Sequence, residues 1–564
     1  VRKLVARAVY TGNLYYQTLR HLRAEQFIHR ALYRSRNPRP NLDSAPPLRA
    51  LPGIWHEPPH RGPSFDGVEI FRFLNVEGAL SKVGWDGDER SKLWRYNQHY
   101  FDDLNAHDAI KRISGHRDLI VRWIDENPPS RGIGWEPYPT SLRIVNWIKA
   151  SLRGDLLNES GLHSLAIQAR WLMQRLERHL LGNHLFVNAK ALIFAGLYFE
   201  GSEANSWLQT GFDVLLRECD EQILSDGGQF ELSPMYHALA LEDILDLVNI
   251  TSHAGIENFT TTQANQIIDW RKRVPTMLQW LVLMSHPDGR ISFFNDAAYG
   301  VAPENEELYQ YAHRLGFIAP GTSPRCGVNH LKDSGYIRLN KGPFDIIFDA
   351  AKVGPDYLPA HAHADTLSFE MSVRGERMIV NSGTSTYGSD AERLRQRGTA
   401  AHSTLELGSV DSSEVWGGFR VARRARVQAV QIKEDSKEIE LIATHDGYAR
   451  LSGRPIHTRN LRLLGQDVIV QDRVSGTGRH SICLRYHLHP ECNATNVSDD
   501  VIKVTFGKSC SQISVTGPAD LQISIEPSTW HPEFGQRVSN QMILIRHEAS
   551  LPCEISTSFS VLPS

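Results

Sequence analysis

Residues 163–182 read HSLAIQARWLMQRLERHLLG. Leu165, Ala169, Leu172, Leu176 and Leu180 recur at three- and four-residue spacing, with Arg and Glu between them. That period gathers the apolar side chains on one helical face, and Gly182 is the expected stop. On either side, ALIFAGLYF, WLQTGFDVLL, ALEDILDLV and TMLQWLVLM read as further buried helices. DGGQF at 226–230 and DGRISFF at 288–294 each follow a helical run and carry an Asp-Gly turn ahead of an aromatic residue. An earlier turn, PPSRGIGWEPYPTSLR, also leads into a helix. Repeated helix–turn–helix units predict a curved or closed array of helical hairpins whose inner ends line a cleft.

After about residue 325 the period changes to two. SGYIRLN, FDIIFDA, LSFEMSV, QDVIVQD and MILIRHE are short strands broken by Gly, Asp, Ser and Pro. Such strands predict antiparallel sheets packed face to face. The expected fold class is a multidomain α+β chain divided in three: residues 1–89, helical with a strand-like piece; 90–324, the helical array; and 325–564, an antiparallel β-sandwich. The strand-like piece GPSFDGVEIFRFLN is expected to pack against the sandwich.

With 61 basic and 64 acidic residues, the chain has a formal net charge of -3. That balance argues against a general nucleic-acid binder. Six scattered cysteines without a CxxC pair read as unpaired buried thiols. The N-terminal VRKLVARAVYTGNLYYQTLRHLRAEQF lacks the continuous apolar core of a signal peptide, which favours the cytoplasm. No stretch reaches the apolar length of a membrane span. A homo-oligomer is compatible with the chain.

Three segments carry candidate chemistry. In HAHADTLSFE, residues 361–370, an extended strand would put His361, His363 and Asp365 on one face. Such a cluster reads as a metal site, an acid–base site or a hydrogen-bonded polar network. His363 and His402 could supply two imidazoles to zinc, with the Asn381 amide as a weak third ligand. LGNHLFVNAK sets Asn183 and His184 at a break between helices, and DGGQFELSPMYH puts Tyr236 and His237 in the first turns after Pro234. One reaction uses both groups: β-elimination from a uronic-acid glycan. Asn183 and His184 would neutralise the substrate carboxylate, and Tyr236 and His361 would move the protons. Hydrolysis would call for two carboxylates, and Glu231, Glu242 and Asp243 lie near Tyr236 in sequence. Arg143, Arg397, Arg420, Arg423 and Arg424 are candidate anion contacts. Trp135, Tyr138, Trp416 and Phe419 are candidate sugar-stacking groups.

The segments GWEPYPTSLRIVNW, GNHLFVNAKAL, DGGQFELSPMYH, DGRISFFNDAAYG, HAHADTLSFE, VNSGTSTYG and AHSTLELG together resemble the heparinase II/III family of polysaccharide lyases. The resemblance implies an incomplete (α/α) toroid joined to an antiparallel β-sandwich, and an acidic polysaccharide as substrate. It implies carboxylate-binding roles for Asn183 and His184, the catalytic phenol for Tyr236, and the proton-abstracting or relaying imidazole for His361. It also implies a structural zinc held by His363 and His402. Here Asn381 stands where the family pattern has Asp, which removes an anionic ligand. Val187 stands where some members carry Glu. A periplasmic or secreted location is the family expectation, against the cytoplasmic reading of the N-terminus. A uronate epimerase and a non-catalytic acidic-polysaccharide-binding or assembly protein are the alternatives, since both could use the same cleft.

Overall fold

The computed structural model describes residues 2–154, 156–318, 321 and 324–563. Helices Lys92–Tyr100, Pro137–Arg153, Gly182–Tyr198, Pro234–Ala254 and Asn305–Arg314 pack each against the next. Gly182–Tyr198 and Pro234–Ala254 are buried nearly all round, as an inner layer must be. Ile113–Glu126, Glu159–Gln174, Ser202–Gln222 and Thr261–Leu283 alternate with them and form the outer layer. The result is an incomplete (α/α) toroid followed by an antiparallel β domain.

The helix expected to run to Gly182 ends at Gln174. Gly182, at φ 57°, opens the next helix instead. The leucine spacing continues through Leu180, but the Asn188 side chain, from the following helix, accepts the Glu177 backbone N–H at 2.9 Å. Tertiary capture of that donor replaces a helical bond. A second difference concerns the hairpin Ile70–Phe73 and Val76–Ala79. Phe71 and Phe73 join the helical core with Trp94 and Trp123 rather than the sandwich core. Its turn residue Asn75 reaches across to Glu533 and the Phe534 carbonyl.

The β domain contains a five-stranded sheet from Gly327–Leu331 to Glu376–Ile379, an eight-stranded sheet and a four-stranded sheet. Their strands pair antiparallel, as Tyr336–Lys341 does with Phe344–Asp349 and Arg479–His487 with Val538–Ser550. Ile456–Leu464 alternates strictly between buried and half-buried positions, the signature of one face packed inward. Leu339 and Phe369 share a core with Leu461, Ile545 and Phe559, so the sheets enclose a common apolar interior.

Toroid and β domain meet through a smaller apolar cluster that includes Leu232, Trp280, Phe294, Tyr336 and Ile347. Beside it, the buried Arg338 pairs with Asp345 and donates to the carbonyls of Val282 at 2.7 Å and Leu283 at 3.1 Å. It thereby caps the carbonyl end of the helix Thr261–Leu283. All six cysteines are unpaired, with Cys219, Cys492 and Cys553 buried and Cys326 exposed. Among the described residues, no helix is long and apolar enough to cross a membrane.

Candidate active site

Three inner helices open at one end of the toroid, at Pro137, Gly182 and Pro234. Proline suits the first helical position because its missing N–H has no partner to lose there. Tyr138, Asn183, His184 and Tyr236 therefore all occupy first turns. The Asn183 side chain hydrogen bonds Tyr138, and the Tyr138 ring lies 4.5 Å from the His184 imidazole. His184 Nδ1 is 3.1 Å from the Glu177 carboxylate. Burial works against its imidazolium, but Glu177 outweighs burial and raises the His184 pKa.

The β domain supplies the opposite wall. Residues 361–365 are irregular, because the strand begins only at Phe369. They are folded around Asp296, which comes from the DGRISFFND turn of the toroid. His361 Nδ1 and His363 Nε2 each lie 2.8 Å from an Asp296 oxygen. Arg393 grips both of those oxygens. Burial opposes ionisation of Asp296, yet Arg393 and the two imidazoles outweigh it and hold the carboxyl well below its usual range. Asp365 does not share this face; it accepts the Asn295 backbone N–H at 3.0 Å.

The two walls meet. The rings of Tyr236 and His361 lie 4.0 Å apart, centroid to centroid, and tilted by 31°. The Tyr236 hydroxyl is 3.1 Å from that of Tyr387, which is 3.5 Å from His361 Nδ1. Burial, then the neighbouring Tyr387, push the Tyr236 phenol well above its ordinary pKa, so it is protonated at neutral pH. Since the Asp296 carboxylate can only accept, Nδ1 is the His361 nitrogen that donates to it, which leaves Nε2 as the ring's other edge. Glu231, 3% exposed, lies 3.7 Å from that Nε2. Ser233 joins the walls: its hydroxyl accepts from the Tyr236 N–H at 3.2 Å and donates to the Asp296 carbonyl.

The expected zinc site is corrected by this geometry. Among the described residues, no three His, Cys, Asp or Glu side chains are grouped to hold a metal ion. His363 spends Nε2 on Asp296 and faces His402 Nε2 with Nδ1 at 3.2 Å. Burial holds the His363 pKa down to about 4 and the His402 pKa down to about 3, so both rings are neutral. Asn381 is fully buried, and its amide oxygen accepts from the Ser403 N–H at 3.3 Å. His363 and His402 thus form a hydrogen-bonded pair, Asn381 turns its oxygen to Ser403 instead, and Asn381 Nδ2 and His402 Nδ1 are buried without a hydrogen-bond partner.

Several other expectations resolve into structure. Arg143 is fully buried, 3.9 Å over the Trp123 ring, with Gln168 as a partner, and Trp135 belongs to the same core. Arg397 is spent on the Ala362 carbonyl, and Arg423 pairs with Glu414. Trp416 packs edge-on against Tyr15 of the N-terminal helix, whereas Phe419 stands 6.2 Å from His361. His237 donates to or accepts nothing in the cleft, since its Nε2 meets the Met277 carbonyl at 2.9 Å. Glu242 and Asp243 are tied to Arg61 and Lys190. Sequence reading missed Asp296, Tyr387, Arg393 and Glu177. Asp296 and Tyr387 lie in quoted motifs, but their partners are distant in the chain.

Models for the heparinase II/III N-terminus and the heparinase II/III-like C-terminal region match residues 128–314 and 323–558. A heparin-sulfate lyase of Bacteroides stercoris is 25% identical over 379 residues, covering 63% of this chain and 53% of that protein. The chain thus spans about half the length of that curated relative, and 36% of a second heparin-sulfate lyase, from Pedobacter heparinus. FtsZ-localized protein C of Caulobacter vibrioides is 22% identical over 559 residues, covering 90% of this chain and 88% of that protein. A crystal structure of heparinase III superposes with a TM-score of 0.65 at 19% identity, covering 83% of this chain and 76% of that one. The fold is therefore the heparinase III fold. With both of its halves matched and the toroid and β domain arranged as observed, the chain belongs to the heparinase II/III family.

Proposed function

We propose that this protein is a polysaccharide lyase that cleaves a uronic-acid-containing glycan by β-elimination. The observation that carries the reading is the stacking of Tyr236 on His361 at 4.0 Å, in a cleft that also receives Asn183 and His184. Three helix N-termini open toward this point, and their partial positive charge favours a carboxylate. The Asn183 amide and the charged His184 neutralise that carboxylate, which acidifies the adjacent C–H. His361 Nε2 takes this proton. The electron pair forms the new carbon–carbon double bond, the glycosidic C–O bond breaks, and the Tyr236 hydroxyl protonates the departing oxygen. Asp296 keeps His361 in the tautomer that leaves Nε2 basic. The Tyr387 hydroxyl bonds the Tyr236 hydroxyl and lies beside His361 Nδ1, which keeps phenol and imidazole in register, and exchange with water resets their protons after the product leaves.

Incubation with a panel of acidic polysaccharides is expected to produce unsaturated-uronate absorbance with at least one of them, and Tyr236→Phe to abolish it. Absence of that product from every uronate polymer tested would sink the proposal.

A second reading has its own support. The relative that aligns along nearly its whole length is the one named FtsZ-localized protein C. The same cleft would then serve an FtsZ-localized, acidic-polysaccharide-binding or assembly protein, without turnover. Glycan binding unchanged by His361→Ala, with no product from either form, would favour this reading over elimination.

A further inference from the structure

A sizeable cavity lies outside the catalytic group. It is an open cleft of about 640 Å³ between Arg20 and His21 just past the first helix, the hairpin around Asp333, and the segments around Arg424 and Asp446. None of Tyr236, His361, Asn183 or His184 lines it. Its volume lies in the range of small-molecule sites.

Its charge is unlike that of the chain as a whole. Seven lysines and arginines line it against three aspartates, although the whole chain carries a net charge of -3. Two of these cations are already committed. Arg423 is paired with Glu414, and Arg450 donates to the carbonyls of Asp411, Ser412 and Gly447.

Arg424 is different. Its side chain is only 7% exposed. One terminal nitrogen meets the exposed Asp356, while Nε and the other terminal nitrogen are buried without a hydrogen-bond partner. Leaving charged donors buried and unmet is costly. A tetrahedral oxyanion in the cavity would take the place of the exposed Asp356 on that terminal nitrogen, and a turn of the guanidinium would bring a second N–H to it. The positive field extends to His21, whose pKa is lowered by burial and then by Arg424. Arg426 and Lys352, both exposed, add charge to the lining.

We propose that this cavity binds a small molecule bearing a phosphate or sulfate group, with Arg424 as its anchor. The site is separate from the catalytic cleft and does not depend on the lyase reading.

Calorimetric titration of the full chain at low ionic strength, with inorganic phosphate and with inorganic sulfate, tests this. Saturable binding of at least one anion is expected, and the tighter of the two identifies the ester. Arg424→Gln is expected to weaken it about tenfold or more. Arg426→Gln, an exposed change that leaves the buried packing intact, is expected to weaken it by a smaller factor. Tyr236→Phe is expected to bind as the wild type does. No saturable heat with either anion overturns the proposal, as does equal affinity in the wild type and both arginine variants. Loss of binding in Tyr236→Phe overturns it too, because the anion would then occupy the catalytic cleft.

Discussion

The carboxylate of Asp296 serves His361, His363 and Arg393 at once, with no exposure to solvent. Asp296→Asn would leave the Arg393 guanidinium buried without its counter-charge, and removing one partner of such a pair typically costs about 3–5 kcal/mol. Denaturant melts at neutral pH are expected to show a loss of that order. The depressed Asp296 pKa makes this contribution complete above the ordinary carboxylate value of 3.8. It is lost only as pH falls through the lower, folded-state value. The wild-type advantage over Asp296→Asn should therefore shrink in strong acid and stay flat above neutrality. His184 has the opposite sign. Its raised pKa keeps the imidazolium populated above the ordinary value of 6.5, and that charge is lost as pH rises through the folded-state value. Glu177→Gln removes the group that raises it. KM should then rise near neutral pH and recover on acidification, because the imidazolium is lost at lower pH once Glu177 no longer supports it. An unchanged KM–pH profile would show that Glu177 does not set this charge.

Helix starts rather than helix bodies build the cleft wall on the toroid side. Leu181 and Leu232, each just ahead of an inner helix, hold φ at 63°, a region uncommon for a leucine. Around Leu232 that conformation is supported from the β domain. Tyr336 donates its hydroxyl to the Leu232 carbonyl at 2.6 Å, and the Asn295 amide donates to it at 2.9 Å. Ser233 then caps the helix that carries Tyr236 and ties it to Asp296. Ser233→Ala is expected to cost about 1 kcal/mol as a lost cap. It should also lower kcat more than it changes KM, because the phenol and the imidazole lose their common anchor. A variant that loses stability but keeps kcat would assign Ser233 to capping alone. Pro234 made this helix start readable in advance. The irregular path of 361–367 was not readable: its alternation looks extended, and only Asp296, far away in the chain, explains why the two histidines turn to one carboxylate.

At the level of the molecule, the proposed proton transfers at Tyr236 and His361 require the toroid and the β domain to stay docked. Arg338 is the polar centre of that joint, buried and bonded to both sides. Arg338→Met keeps the length of the stem but strips the helix-end carbonyls and Asp345 of their donor. Unmet groups of this kind cost about 1–3 kcal/mol each. Calorimetric unfolding is expected to split into two transitions, one per domain, with kcat falling in parallel. A single transition at the wild-type temperature would show that the apolar cluster around Trp280 and Tyr336 holds the joint alone.

The change from a helical period to a period of two near residue 325 was enough to establish an α array followed by antiparallel sheets, because periodicity is a local property of the chain. The residue types in GNHLF, SPMYH and HAHAD were likewise enough to nominate Asn183, His184, Tyr236 and His361. Contacts that cross hundreds of residues were decided only by the folded molecule. Gly182 became a start and not a stop because Asn188 captured a backbone donor. The histidines near Asn381 became a neutral hydrogen-bonded pair because His363 was already committed to Asp296. A spacing rule records which side chains share a face, whereas the partner each one meets depends on what the rest of the chain brings to that face.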